Sequence, residues 1–165
     1  MKLATRTAMR YRAGFSLVEL MVAAAILGVL ASVAMPLAQT SMRRQKEHEL
    51  RIALQDIRRG IDAYKLASAN GQVALQTGQS GYPPSLTELV SGVADIRHPG
   101  APPLYFLRRI PRDPFFADTS VAAIDTWGKR SFASPPDRPR AGDDVFDVYS
   151  LSSETGFNGV PYAEW

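Results

Sequence analysis

The hydrophobic residues of this chain are concentrated in one long segment near the N-terminus. From Phe15 to Ala38 the sequence runs for 24 residues with a single charged side chain, that of Glu19. A helix of that length covers about 36 Å, which is enough to cross the hydrocarbon core of a bilayer. The pattern therefore predicts a membrane-spanning helix over residues 15–38.

After this segment the pattern becomes amphipathic. Apolar side chains recur at spacings of four, three, four and three residues, at Leu50, Leu54, Ile57, Ile61 and Tyr64. These positions form one stripe on a helix, which is typical of a helix that covers a hydrophobic core. We expect the helix to continue over residues 39–70 and to end near Asn70 and Gly71. The stripe is interpreted as core and not as a cofactor site.

Residues 71–165 are predicted to form a globular head with irregular loops. Residues 70–81 are rich in Gly, Gln and Ser and predict a loop. Residues 82–89 fit a short helix with Ser85 as its N-cap and Glu88 completing a capping box. Short β-type runs follow at residues 131–133, 145–151 and 160–162. The predicted fold class is α+β, with the second half of the long helix packed against a small antiparallel sheet.

The charge of the chain is unevenly distributed. There are 19 Lys and Arg residues against 16 Asp and Glu residues, a formal net charge of +3. Four of the cations and no acid lie in residues 1–14, which leaves 15 basic and 16 acidic residues after Gly14. No basic stripe with interleaved aromatic residues follows, so we predict no nucleic-acid partner. The absence of cysteine excludes disulfides and thiolate metal sites.

A basic start before an apolar run is also typical of a cleaved secretory signal. Against that reading, the run is longer than a typical signal core, no clear small-x-small site ends it, and the helical pattern continues beyond it. A plain signal anchor is the stronger alternative. Because the cations precede the span, the positive-inside tendency places the N-terminus in the cytoplasm and the head across the membrane.

The sequence Gly14-Phe15-Ser16-Leu17-Val18-Glu19 resembles the signature of type IV pilin-like prepilins. That signature consists of glycine, phenylalanine, a small hydroxyl residue, two aliphatic residues and glutamate. The resemblance implies that residues 1–14 are a leader, that a prepilin peptidase cuts between Gly14 and Phe15, and that Phe15 is then N-methylated. It also implies a pilin-like fold.

Glu19 is an ionisable residue inside the predicted span, where a charge costs at least about 2.5 kcal/mol without a partner. Cleavage after Gly14 creates a new α-amino group on Phe15 at a similar depth. The resemblance implies that this amino group pairs with the glutamate of a neighbouring subunit during filament assembly. The alternative is that Glu19 extends to the lipid headgroups, since it lies only five residues after Gly14.

Small residues recur every four positions along the same helix, at Ala24, Gly28 and Ser32. They would allow a second helix to approach closely. Pro36 removes one backbone hydrogen bond near the end of the span and is expected to kink or loosen the helix there. Its alternative role is simply to mark the exit from the membrane.

Three segments of the head resemble the C-terminal half of type II secretion pseudopilins, especially the major pseudopilin: Leu107 to Phe115, Asp125 to Gly128 and Phe146 to Ser150. In that family, aspartates after the last major strand bind calcium. Here residues 151–159 offer only Ser152, Ser153, Glu154, Thr155 and Asn158. Calcium takes six to eight oxygen ligands, several of them anionic. Calcium stays open as a cofactor, no metal ligands are assigned, and no other cofactor is expected.

No catalytic pattern is present in the sequence. There is no phosphate-binding glycine loop, and Glu47-His48-Glu49 does not form a zinc-binding HExxH motif. His48 and His98 are interpreted as solvated or structural residues, and Asp143 and Asp144 as acids of a turn. We therefore predict no enzyme and no catalytic residues.

Three hypotheses follow, and the resemblance favours the first. It is a structural pseudopilin of a periplasmic type II secretion filament, held in the inner membrane by a single pass. Its partners would be other pseudopilins, the prepilin peptidase, an inner-membrane assembly platform and, indirectly, the assembly ATPase. The second is a minor pilin of a surface type IV pilus, in adhesion, motility or DNA uptake. The third, from another class, is a signal-anchored periplasmic binding domain or enzyme.

Overall fold

The computed structural model describes residues 14–165, so the predicted leader lies outside the described residues apart from Gly14. The chain divides into a first unit that ends at Met42 and a second unit, Arg43–Trp165. One helix, α1, extends over Leu17–Ala69 and includes both the predicted membrane-spanning segment and its amphipathic continuation.

The C-terminus of α1 follows from its sequence. Gly71 has a φ of 70°, a left-handed conformation that glycine adopts without strain. The Gly71 N–H donates to the Ser68 carbonyl at 2.9 Å, and the Gln72 N–H donates to the Ala67 carbonyl at 2.9 Å. This pair of bonds is a Schellman motif, which satisfies the last helical carbonyls. The predicted end near Asn70 and Gly71 is confirmed.

The amphipathic stripe is the centre of the hydrophobic core in the second unit. Its five residues are all buried, from 0% exposed at Leu50 and Ile57 to 6% at Tyr64. They pack in one cluster with buried residues of the head, namely Leu86, Leu89, Trp127, Val145, Val148 and Tyr162. Burial of this kind is the main stabilising contribution to such a fold. The interpretation of the stripe as core is confirmed.

The sheet of the head consists of two antiparallel strands, β1 (Trp127–Arg130) and β2 (Asp147–Ser150). In the register, Trp127 lies opposite Ser150 and Gly128 lies opposite Tyr149. A Cβ at position 128 would lie 2.3 Å from the Tyr149 ring, so only glycine fits beneath that ring. With the long helix and this sheet, the predicted α+β fold class is confirmed.

Two of the predicted strands are wrong, because no strand forms at the predicted positions. Residues 131–133 form a turn after β1, because the Ser131 N–H leaves the ladder and donates to the Arg140 carbonyl at 2.9 Å. Residues 160–162 make only an isolated bridge between Thr155 and Pro161, and a 3-10 helix at Tyr162–Glu164 follows. The predicted run 145–151 contains β2, so that strand is confirmed.

The predicted short helix begins later than expected, at Glu88, as α2 (Glu88–Ser91). Ser85 is not its N-cap. The Glu88 N–H donates to the Ser85 carbonyl at 3.3 Å, and the Leu89 N–H to the Leu86 carbonyl at 3.2 Å. These short-range backbone bonds satisfy the donors that a capping side chain would have taken. The predicted capping box at Ser85 and Glu88 is therefore wrong.

Candidate processing and assembly segment

The proposed cleavage site lies at the start of the described chain, just before α1. A Cβ added at Gly14 would meet no other atom within 4 Å, and Phe15 is 79% exposed. The Leu20 N–H donates to the Ser16 carbonyl at 3.1 Å, so helical bonding begins at Ser16. The backbone at Gly14 and Phe15 is thus non-helical and uncovered, as a peptidase would need.

Glu19 lies in the first turn of α1. Ser16 immediately precedes the helix, and Glu19 follows three residues later, which is the spacing of a capping box. The positive end of the helix dipole also favours an anion there. The sequence prediction did not consider that Glu19 would lie in the first turn of a helix, although the Ser-x-x-Glu spacing could have indicated it. It is compatible with the pairing of Glu19 across subunits.

The first part of α1 is apolar on all sides. Its most hydrophobic 18-residue window has a mean hydropathy of 2.4, and none of that window is buried. Large apolar side chains stay more than half exposed, from 53% at Val22 to 75% at Leu17. This helix is long and apolar enough to cross a membrane. A surface of this kind requires lipid or other helices as its surroundings.

The small residues of the first unit lie on this uncovered helix. A Cβ at Gly28 would meet no other atom within 4 Å, and the Ser32 hydroxyl donates to the Val29 carbonyl at 2.7 Å. Pro36 lies inside α1, and the Thr40 hydroxyl donates to its carbonyl at 2.9 Å. Helix packing through Ala24, Gly28 and Ser32, and loosening at Pro36, stay predictions.

In the head, a buried carboxylate joins the three segments on which the pseudopilin resemblance rests. Asp113 is 1% exposed and accepts a hydrogen bond from the Ser150 hydroxyl at 2.6 Å. Its own N–H donates to the Thr126 hydroxyl at 3.2 Å. The indole of Trp127 adds a hydrogen bond of 2.8 Å to the Pro111 carbonyl. Segments far apart in sequence are thereby fixed to both strands of the sheet.

A second carboxylate, that of Asp144, closes the loop between the strands. It accepts hydrogen bonds from the hydroxyls of Ser80 and Ser131 and from the Phe132 N–H. Burial alone would raise the pKa of Asp144, but these hydrogen bonds outweigh burial and lower it. Asp143, its neighbour, is exposed. The role of Asp144 is therefore structural.

A second buried carboxylate, Glu47, was missed by the sequence prediction. It is 7% exposed and accepts hydrogen bonds from the Tyr162 hydroxyl and the Phe157 N–H, both at 2.9 Å. Glu47 lies three residues before Leu50 and so extends the apolar stripe by one position. An acid in phase with a core stripe is the signal that could have indicated its burial.

Neither histidine lies in a catalytic arrangement. His48 is exposed on α1, and His98 Nδ1 lies 2.9 Å from Asp95 Oδ2 in an exposed turn. The hydrogen bond with His98 lowers the pKa of Asp95. Among residues 14–165, no three His, Asp or Glu side chains are grouped closely enough to hold a metal ion.

Comparison with known proteins bears on the N-terminal segment and on the head. A family model described as the prokaryotic N-terminal methylation motif matches residues 9–35. The N-terminal segment of the chain is thus similar to that of prepilins. The chain is 29% identical over 140 residues to type II secretion system core protein G of Klebsiella pneumoniae, across 83% of this chain and 94% of the relative. The corresponding protein of Dickeya chrysanthemi is 29% identical over 161 residues, across 91% and 96%. No solved structure matches the chain.

Proposed function

We propose that this chain is a prepilin and a structural pseudopilin of a type II secretion system, cleaved after Gly14 and N-methylated at Phe15. The observation that carries the proposal is the match to the N-terminal methylation motif over residues 9–35, which includes the uncovered apolar part of α1. Similarity to two proteins named type II secretion system core protein G, over most of each chain, supports the choice of machine.

In this proposal the apolar part of α1 acts twice. Before assembly it anchors the subunit in the inner membrane by a single pass, with the N-terminus in the cytoplasm and the head in the periplasm. After assembly it packs among the equivalent helices of other pseudopilins, where Ala24, Gly28 and Ser32 permit close approach. The assembly platform of the inner membrane, driven by its ATPase, would extract the helix from the bilayer.

Glu19 makes the transfer of the helix from the bilayer to the filament specific. A carboxylate in an apolar helix is costly in lipid and in a filament core unless a cation compensates it. Cleavage supplies the cation as the α-amino group of Phe15, four residues before Glu19 in the chain. A newly added subunit can then pair its free amino group with a glutamate already in the filament. No chemical reaction by the head is part of this function.

The test replaces Glu19 by glutamine, which removes the charge and keeps the size of the side chain. We expect Glu19→Gln to be cleaved by the peptidase but to lose filament cross-links and at least about tenfold of protein secretion, equivalent to about 1.4 kcal/mol. Asp62→Asn is the matched control, because Asp62 is exposed on the second half of α1.

Secretion at the normal level in the Glu19→Gln strain would contradict the role of Glu19. Normal secretion in a strain that lacks the whole protein, together with loss of a surface pilus, would instead support a minor pilin. Both strains are compared with one that carries the unaltered chain.

A further inference from the structure

The C-terminal loop, residues 151–161, is joined to the first turns of the second unit by one buried acid. Glu47 Oε1 accepts both the Tyr162 hydroxyl and the Phe157 N–H at 2.9 Å. A buried carboxylate is costly unless it is hydrogen-bonded, and here both donors come from residues at least 110 positions later in the chain. The position of the loop is therefore coupled to the solvation of Glu47.

Arg43, one helical turn before Glu47, contacts the same loop. Its guanidinium donates to the Thr155 carbonyl at 2.6 Å and to the Tyr162 hydroxyl at 3.3 Å. It also lies 5.1 Å from the centre of the Phe157 ring, within the range of a cation–π interaction. The hydrogen bond to Tyr162 raises the pKa of Arg43 above its usual value.

Tyr162 is the point where these contacts meet. It is 0% exposed, and its ring stacks on Phe115 with 4.1 Å between the ring centres. Burial is the main reason that the pKa of its hydroxyl is raised, so this hydroxyl stays a donor over the physiological range. The Tyr162 N–H donates to the Glu154 carbonyl at 3.0 Å, which closes the loop on itself.

Three of the side chains that the sequence offers to a calcium ion have other partners. Asn158 Oδ1 accepts from the Val160 N–H at 3.1 Å, and Ser152 Oγ accepts from the Glu154 N–H at 3.2 Å. Glu154, the one carboxylate of the loop, lies 3.5 Å from the guanidinium of Arg43. A cation beside the only acid disfavours a divalent ion, which needs several anionic oxygens. The residues present do not fit calcium.

We infer that Glu47, Arg43 and Tyr162 form a polar clamp that fixes the C-terminal loop in place of a metal ion. A bound ion would fix the loop through its oxygen atoms, whereas the clamp fixes the loop backbone to a rigid helix through hydrogen bonds at Thr155 and Phe157. Its consequence is that the head reaches its folded state without calcium. A pseudopilin of this type would keep its loop ordered where the supply of calcium varies.

The experiment measures thermal unfolding of the full chain in detergent, with a calcium chelator or with added calcium chloride. For the unaltered chain, we expect the same Tm in both conditions. Tyr162→Phe removes only the hydroxyl and should lower Tm by about 4 °C or more. Tyr105→Phe is the matched control, because Tyr105 is 64% exposed, and its Tm should not change.

A second measurement reads the clamp directly, even if a variant is too unstable for a clear Tm. Glu47→Gln weakens the acceptor of the Phe157 N–H, so amide hydrogen exchange should accelerate at Phe157 and Gly156 and stay unchanged at β1. A rise of Tm with calcium, or a fall with the chelator, would overturn the inference. So would unchanged exchange at Phe157 together with an unchanged Tm in Tyr162→Phe.

Discussion

At the residue scale, the head is fixed by hydrogen-bonded carboxylates with partners remote in sequence. Glu47 and Asp144 each accept at least two hydrogen bonds from other segments, and Asp113 accepts one from Ser150. Asp143 and Asp144 are visible in the sequence as neighbouring acids of a turn, but nothing there distinguishes them. Asp144 differs from Asp143 because folding brings partners to its carboxylate, among them Ser80, which lies 64 positions earlier.

The lowered pKa of Asp144 predicts a pH-dependent contribution to stability. A group with a lower pKa in the folded state stabilises the fold above its unfolded pKa, which is about 3.9 for aspartate. That contribution is lost as the pH falls through the folded pKa. We expect Asp144→Asn to lower the free energy of unfolding by about 1–3 kcal/mol at pH 7. Below about pH 4 the difference from the unaltered chain should shrink.

Denaturant unfolding of the detergent-solubilised chain between pH 3 and pH 8 measures this difference. Asp143→Asn is the control, because Asp143 is exposed, and it should change the free energy of unfolding little at any pH. A difference for Asp144→Asn that stays constant down to pH 3 would contradict the assigned role of the carboxylate.

At the element scale, local periodicity was sufficient for the helix and insufficient for the sheet. The stripe repeats over many turns of α1, so its phase identifies the buried face, and Gly71 identifies the C-terminus. Strands of four residues carry little periodic signal. The pairing of Trp127 with Ser150 depends on Asp113 and Pro111, which neither strand contains. For that reason the first strand was predicted four residues too late.

The same substitution, isoleucine to alanine, can be compared on a buried and on an exposed face of α1 in the second unit. Ile57 is 0% exposed in the stripe, whereas Ile52 is 45% exposed on another face. We expect Ile57→Ala to lower the free energy of unfolding by about 2–5 kcal/mol, because it leaves a cavity in the core. Ile52→Ala should cost about 1 kcal/mol or less. Equal losses, measured by chemical denaturation, would contradict the assignment of the stripe as the core face.

At the scale of the whole molecule, the two units present different chemistry. The second unit buries its apolar residues in a core, and the first exposes them along a helix. The sequence predicts this contrast well, because hydropathy and the prepilin motif are both local. The polar clamp could not be predicted in the same way, since Tyr162 lies more than 100 residues after Arg43 and Glu47. The sequence alone therefore leaves open whether calcium fixes the C-terminal loop, whereas in the structure protein side chains contact that loop.

Whether the chain is processed as a prepilin is tested most directly by the mass of the membrane-extracted protein. Protein is prepared from cells with and without a prepilin peptidase. We expect the loss of residues 1–14 and the gain of one methyl group on Phe15, only when the peptidase is present. An N-terminus that stays intact in both strains would contradict the account and would favour a signal-anchored periplasmic domain.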